Sequence, residues 1–271
     1  MSIFQALVLG AVQGITEFLP VSSSAHLIIF PSLFGWEKHP LVFDTTLHLA
    51  TALALLIYFF NDLKRIIKAL VYDCNSSKLQ LKKYSSEGKL GVYILIGTIP
   101  AGIIGFLLGD LIENTFRDIT GTITFLAVGT FLLLLAEKYY SKNGGSVLSE
   151  KLTVSKSLFI GFFQSLALLP GISRSGATIS SGMFSGLSRE EAARFSFLLS
   201  VPIVLMAAVF KIVSSLSVFN QSFLPEMLTG FVSSFVFSLI AIKFLLSFVK
   251  RNRLYIFAIY RILLIVLLLF L

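Results

Sequence analysis

Residues 13–26 read QGITEFLPVSSSAH. An amide, a carboxylate, four hydroxyls and an imidazole crowd into a stretch whose flanks, SIFQALVLGAV before and LIIFPSLF after, are apolar. Gln13 and Glu17 are four residues apart, so on a helix they share one face, one turn apart. Pro20 is expected to end that helix and to push Leu19 toward an extended conformation. Ser22, Ser23, Ser24 and His26 follow the break. If the flanks lie in lipid, Glu17 needs a partner, a cation or water, because a charge at membrane depth costs about 2.5–3.5 kcal/mol even on insertion scales. Irregular backbone at that depth persists only where protein or a water-filled cavity satisfies its polar groups. The break then faces an internal site, and the solvent of the flanks decides the fold.

Composition identifies that solvent. Of 271 residues, 56% are hydrophobic and only 13% charged, which is too apolar for a soluble chain of this length. The surroundings are a bilayer. The single Cys74 lies in a charged stretch, which excludes a disulfide framework, a Cys-based metal site and redox chemistry. The net charge of +8 resides in loops between apolar runs, as cytoplasmic anchoring of a membrane protein requires, so no nucleic-acid partner is expected. The first residues, MSIFQALVLG, lack the positive flank and small-residue cleavage site of a signal peptide and are expected to remain in the fold.

About 20 apolar residues are needed to cross the hydrocarbon core as a helix. Runs at roughly 41–60, 90–109, 121–136, 195–213, 227–247 and 254–271 qualify. Two further apolar regions, 2–35 and 157–187, are interrupted midway by Pro, Gly and Ser and read as pairs of half-helices. The expected fold class is all-α and polytopic, with six full transmembrane helices plus two re-entrant broken-helix pairs. Sixteen of the 22 Lys and Arg residues fall in loops 61–89, 137–156, 187–194 and 248–254, which the positive-inside bias makes cytoplasmic. Lys38, Arg117 and Lys211 lie opposite, and Arg174, Lys243 and Arg261 fall inside apolar runs. With six crossings the first break dips in from outside and the second from the cytoplasm.

The two breaks share an order of residues. GAVQGITEFLPVSSSA (10–25) and GFFQSLALLPGISRSGA (161–177) each give Gly, Gln three later, Leu-Pro, and then a pair of serines. A repeat of opposite membrane orientation is the inverted-repeat architecture, in which broken helices from both halves meet near the midplane. The whole chain, 1–271, is then one integral membrane domain with halves of about 1–150 and 151–271.

The second break supplies what the first lacks. Ser173, Arg174, Ser175 and Thr178 cluster after Pro170-Gly171, and Gly176 lets backbone approach a ligand closely. The guanidinium fork of Arg174 suits phosphate oxygens, and N–H groups at the start of the next half-helix add to anion binding. Arg189 and Arg194 read as cytoplasmic flank residues. An anion held by Arg174 and a divalent cation held by Glu17, with Gln13 in support, describe a phosphate or diphosphate site. Magnesium takes few protein oxygens alongside substrate phosphates and waters, and the spans hold too few acids for an all-protein calcium cage. Asp44 and His48, one turn apart, could join from the outer rim. Lys243 and Arg261 stay unassigned between snorkelling and internal pairing.

QGITEFLPVSSSAH and PGISRSGAT together resemble the two motifs of the undecaprenyl-diphosphatase family, the bacitracin-resistance integral membrane phosphatases of bacteria. FDTTLHLAT, RFSFLLSVP and the late YRI extend the resemblance over essentially the whole chain. The family's first motif begins with Glu or Gln; Gln13 is the Gln variant, which leaves Glu17 as the essential carboxylate. The resemblance carries the family's serines and histidine onto Ser22, Ser23 and His26, and its arginine motif onto Ser173, Arg174, Ser175 and Thr178. It implies hydrolysis of the C55 isoprenoid diphosphate to the monophosphate plus inorganic phosphate, which recycles the carrier lipid of peptidoglycan synthesis and confers bacitracin resistance. It further implies a divalent cation, Mg2+ or Ca2+, held by Glu17 and Gln13, and a bacterial cytoplasmic (inner) membrane location with the site opening to the outer face. A polyprenyl diphosphate lipid and membrane lipids are the expected partners, and a homo-oligomer is left open.

In the expected mechanism Arg174 clamps the terminal phosphate, Glu17 holds the cation or acts as base, and Ser23, ahead of Ser22, attacks phosphorus or orients the attacking water. His26 carries a proton or fixes the loop by a hydrogen bond, while Gln13, Ser24, Ser173, Ser175 and Thr178 line the substrate. The rival expectation is an inverted-repeat transporter or flippase of a phosphorylated lipid.

Overall fold

The structure is a computed structural model that describes every residue except 38, 77–79, 117, 143–151, 216–222 and 271. Lys38, Lys78, Arg117, Lys151, the side chain of Lys211 and the boundary between the two sequence halves lie outside the described residues. Helix α1, Ile3–Thr16, starts from a capping box in which Ser2 Oγ accepts from the Gln5 N–H and Gln5 Oε1 accepts from the Ser2 N–H. It stops at Thr16, ahead of Pro20. The chain already turns at residues 17–21, where the Val21 N–H donates to the Leu19 carbonyl at 2.7 Å. Glu17 keeps helical dihedrals and donates its N–H to the Gln13 carbonyl, so the one-turn relation of the two side chains survives. Helix α2 follows at Ser23–Leu33.

Helices α3 (Leu41–Tyr58), α4 (Phe60–Ser76), α5 (Ser86–Phe116) and α6 (Ile119–Lys142) complete the first part of the chain. The second break is bracketed by α7, Val154–Leu166, capped by Thr153, and α8, Arg174–Phe184. Helices α9 (Arg189–Ser215), α10 (Leu224–Phe248) and α11 (Tyr255–Leu269) end the chain, and no strand occurs among the described residues. At about 1.5 Å per residue, the 14 residues of α1 and the 11 of α2 and of α8 fall well short of the ~30 Å hydrocarbon core. Both interrupted regions are therefore pairs of short helices.

Three helices are long and apolar enough to cross a membrane, within Ser86–Gly109, Ile119–Lys142 and Leu224–Phe248. A fourth arises if Val42–Tyr58 and Phe60–Ser76, bent by 72° at Phe59, count as one span. Six were expected. The remaining expected spans are helical, but α9 begins with the charged Arg189-Glu190-Glu191 and α11 has 15 residues. The segment after residue 60 was expected to be a loop and is instead amphipathic α4. It buries Ile66 while Lys64, Arg65 and Lys68 face outward, the distribution of a helix lying along a membrane interface.

Small residues let the short helices approach the long ones. Any side chain at Gly10 would meet the Gly230 carbonyl 2.5 Å away, and at Gly14 the Ser234 carbonyl at the same distance, so α1 lies flush against α10. Ser233 Oγ donates to the Leu7 carbonyl across the same seam at 2.7 Å. Gly161 of α7 packs against the Gly97 backbone of α5 in the same way, with Ser157 Oγ donating to the Tyr93 carbonyl at 2.5 Å. The central apolar cluster reaches up to the first break, where Phe18 is fully buried and meets Phe197 edge-on at 5.5 Å.

A polar clasp joins the ends of three helices. Glu137 of α6, fully buried, accepts from Nε and Nη2 of Arg189 and from the Leu254 N–H at 3.1 Å, and the guanidinium lies 4.4 Å from the Tyr140 ring centroid. Glu137→Ala leaves the guanidinium and the Leu254 N–H without their acceptor, for an expected cost of about 3 kcal/mol. The check is the thermal unfolding midpoint in detergent, which falls clearly for Glu137→Ala and stays in place if the clasp carries no stability.

Candidate active site

The two breaks repeat one local geometry. Ser22 (φ 76°) and Ser173 (φ 73°) are the only non-glycine residues with positive φ among the described residues. Such backbone costs about 1–3 kcal/mol and persists only where its surroundings over-determine it. Each serine caps the helix after it: Ser22 Oγ accepts from the Ala25 N–H of α2, and Ser173 Oγ from the Gly176 N–H of α8. Each also bonds the serine two positions on, Ser24 and Ser175, at 3.2 Å. Those second serines cross between the breaks. The Gly171 N–H donates to Ser24 Oγ at 3.4 Å, and Ser175 Oγ donates to the Leu19 carbonyl at 2.9 Å. Two helix N-termini, each carrying partial positive charge, are thereby held side by side.

The residue directly after each strained serine reaches Glu17. Ser23 Oγ donates to Glu17 Oε2 at 2.6 Å, and Arg174 Nη2 donates to Glu17 Oε1 at 2.7 Å. Gln13 Nε2 donates to the same Oε2 at 3.0 Å and lies 3.1 Å from His48 Nδ1, which is 3.8 Å from the carboxylate. Glu17 and Gln13 are buried, whereas the Arg174 side chain keeps 16% of its surface and that of His48 34%. A carboxylate and a hydroxyl from the first break and a guanidinium from the second, 157 residues along the chain from Glu17, thus form one cluster with an open side. One arginine donor is on Glu17, and the rest of the fork is left for an anion.

The other expected residues have partners or positions of their own. Thr178 Oγ1 donates to the Arg174 carbonyl at 2.8 Å and meets Ser196 Oγ at 2.6 Å, fastening α8 to α9. His26 is buried, with Nδ1 2.6 Å from the Ser22 carbonyl and Nε2 2.6 Å from the hydroxyl of Tyr260, whose ring stacks on the imidazole. Both ring nitrogens are thus engaged away from Glu17. Asp44 bonds His39 Nε2 at 2.5 Å, and Lys243 is exposed on α10. Arg261 is buried and donates to backbone carbonyls of both breaks. Tyr260 and Ser196 had no role in the sequence reading. The polar pair Tyr260-Arg261 inside an apolar run was the available signal.

The chemistry of one half is absent from the other. Gln164 stands in α7 where Gln13 stands in α1, but Leu168 follows one turn later in place of a carboxylate, and both amide atoms of Gln164 are buried without a partner. No three His, Cys, Asp or Glu side chains gather among the described residues. Beside Glu17, the buried Oε1 of Gln13 lacks a partner. One carboxylate and one amide oxygen fit a divalent cation, such as magnesium, that takes its other ligands from phosphate and water, and are too few for a calcium cage made of protein oxygens alone.

Residues 6–267 match the family described as bacitracin resistance protein BacA. A relative from Caldicellulosiruptor bescii named undecaprenyl-diphosphatase is 42% identical over 262 residues, covering 96% of this chain and 94% of that protein. One of the same name from Geotalea daltonii is 43% identical over 264 residues, covering 97% and 95%. A third from Methanosphaera stadtmanae is 42% identical over 270 residues, covering 96% and 94%. Matches of this length include both breaks: the chain belongs to the bacitracin resistance protein BacA family.

Proposed function

We propose that this multi-pass membrane protein hydrolyses undecaprenyl diphosphate to undecaprenyl phosphate and inorganic phosphate, with the Glu17–Ser23–Arg174 cluster as its active site. The observation that carries the reading is the convergence of Ser23 and Arg174, 2.6 and 2.7 Å from the two oxygens of Glu17, at two adjoining helix N-termini. A terminal phosphate needs positive charge around its equatorial oxygens and a positioned nucleophile, and phosphoryl transfer asks for little else. Family membership supports the same activity. The recycled lipid carries peptidoglycan precursors, and resistance to bacitracin follows.

Ser23 Oγ attacks the terminal phosphorus and Glu17 Oε2 takes its proton. The bond from that phosphorus to the bridging oxygen breaks, and undecaprenyl phosphate leaves. Water then cleaves the phosphoserine and releases phosphate. Arg174 turns its free donors to the equatorial oxygens, and the first N–H groups of α2 and α8 add partial positive charge. A magnesium ion held by Glu17 and Gln13 Oε1 would supply charge neutralisation at the diphosphate. His26, bonded to the Ser22 carbonyl and to Tyr260, keeps the first break in shape.

The recurrence of Gly10, Gln13, Ser22 and Ser24 as Gly161, Gln164, Ser173 and Ser175, with positive φ at both capping serines, supports an inverted repeat. In that reading six crossings enclose two re-entrant pairs in the bacterial cytoplasmic membrane, with the site opening to the outer face. The test is release of inorganic phosphate from the C55 diphosphate by purified protein in detergent, with magnesium and with chelator. Magnesium-dependent release is expected, together with a phosphoserine trapped in wild type and absent from Ser23→Ala, whose rate falls about 10³-fold. Movement of intact diphosphate across vesicles without phosphate release would favour a carrier. Inversion at phosphorus without a trapped intermediate would assign the attack to water.

A further inference from the structure

Arg261 is the largest fully buried side chain among the described residues, and each of its hydrogen-bond acceptors is a backbone carbonyl. Nη2 donates to Leu126 and to Gly171 at 2.9 Å and to Ile172 at 3.2 Å, while Nη1 donates to Pro20 at 3.4 Å. Room for it exists because α6 has no side chain at Gly129, where a Cβ would collide with Nη2 and with the Ile172 carbonyl. A cation so buried is costly, and four carbonyl dipoles offset part of that cost while its Nε has no partner. Three of those carbonyls have a special place in the chain. Pro20 lies two residues before Ser22, and Gly171 and Ile172 lie directly before Ser173.

We propose that Arg261 is a positioning residue that holds both capping serines in their left-handed conformation, and through them aims Ser23 and Arg174 at Glu17. Neither Ser22 nor Ser173 has an intrinsic reason to adopt positive φ, since only glycine does so without cost. Each is followed at once by a side chain of the cluster, so a backbone that relaxes to negative φ rotates that side chain away from the carboxylate. One guanidinium bonded to both breaks couples the two rotations. Lysine keeps the charge but lacks the planar fork that serves carbonyls on both sides.

This inference rests on the proposed phosphatase reading for its kinetic arm, and a second arm is independent of activity. In the kinetic arm, Arg261→Lys lowers kcat for phosphate release about 100-fold and leaves KM within about threefold. In the background Ser22→Gly/Ser173→Gly, whose glycines take positive φ freely, the same substitution costs about tenfold or less. In the second arm, hydrogen exchange of the wild type and Arg261→Lys is compared without substrate. Amides of segments 19–25 and 170–176 exchange faster in the variant, while those around the Glu137–Arg189 clasp do not change. An equal kcat loss in both backgrounds, or unaltered exchange at the breaks, overturns the proposal. If wild type releases no phosphate, the phosphatase reading fails, and exchange at the breaks alone decides whether Arg261 positions them.

Discussion

Arg174→Ala lowers kcat for phosphate release by about 10³-fold or more, the range seen when a guanidinium that stabilises a transferring phosphoryl group is removed. The protein stays folded. Glu17 retains Gln13 and Ser23 as hydrogen-bond donors at 3.0 and 2.6 Å, and Arg174 is partly exposed, so its loss leaves no large void. Arg174→Lys recovers little, because a point charge cannot hold Glu17 and span two phosphate oxygens as a planar fork can. Purified variants assayed at saturating C55 diphosphate give the answer. Residual activity within about tenfold of wild type would remove Arg174 from the reaction.

Glu17→Ala is expected to be as severe, with a fall of about 10³-fold in kcat, for a different reason. The carboxylate is the common acceptor of Ser23, Arg174 and Gln13. Without it the Ser23 hydroxyl loses its base and its orientation, and the guanidinium loses the partner that holds it beside α2. Glu17→Gln separates these roles. An amide oxygen still accepts from Ser23 or Arg174 but carries no charge and cannot take a proton at neutral pH, so a comparable loss in Glu17→Gln points to the carboxylate as base or cation ligand. Recovery to within about tenfold in that variant would make Glu17 an orienting group alone.

The breaks were legible because Pro, Gly and Ser interrupt apolar sequence, and because Gln13 and Glu17 keep helical spacing. That spacing survives in the structure even though α1 stops at Thr16. The left-handed serines were not legible. Nothing in Ser22 or Ser173 as residues announces positive φ; it emerges from carbonyls tied to an arginine far along the chain. The same limit hid the bond between His26 and Tyr260, which joins residues with no relation in spacing. Lys and Arg in 61–76 suggested a loop because their charge masks an amphipathic period, and α4 was missed. Arg189 passed for a flank charge, since its partner Glu137 lies on another helix. Local pattern located the two breaks, whereas the contacts that join them are long-range and leave no trace in spacing.

In the proposed reaction Glu17 and Arg174, from opposite breaks, act as one unit. Phosphate release by wild type, Glu17→Ala, Arg174→Ala and the double variant measures that directly. Groups that work together lose their joint contribution once, so the double variant should be no more than about threefold slower than the slower single. If the two losses instead multiply, the residues act at separate places, and the ion pair between the breaks is not the active site.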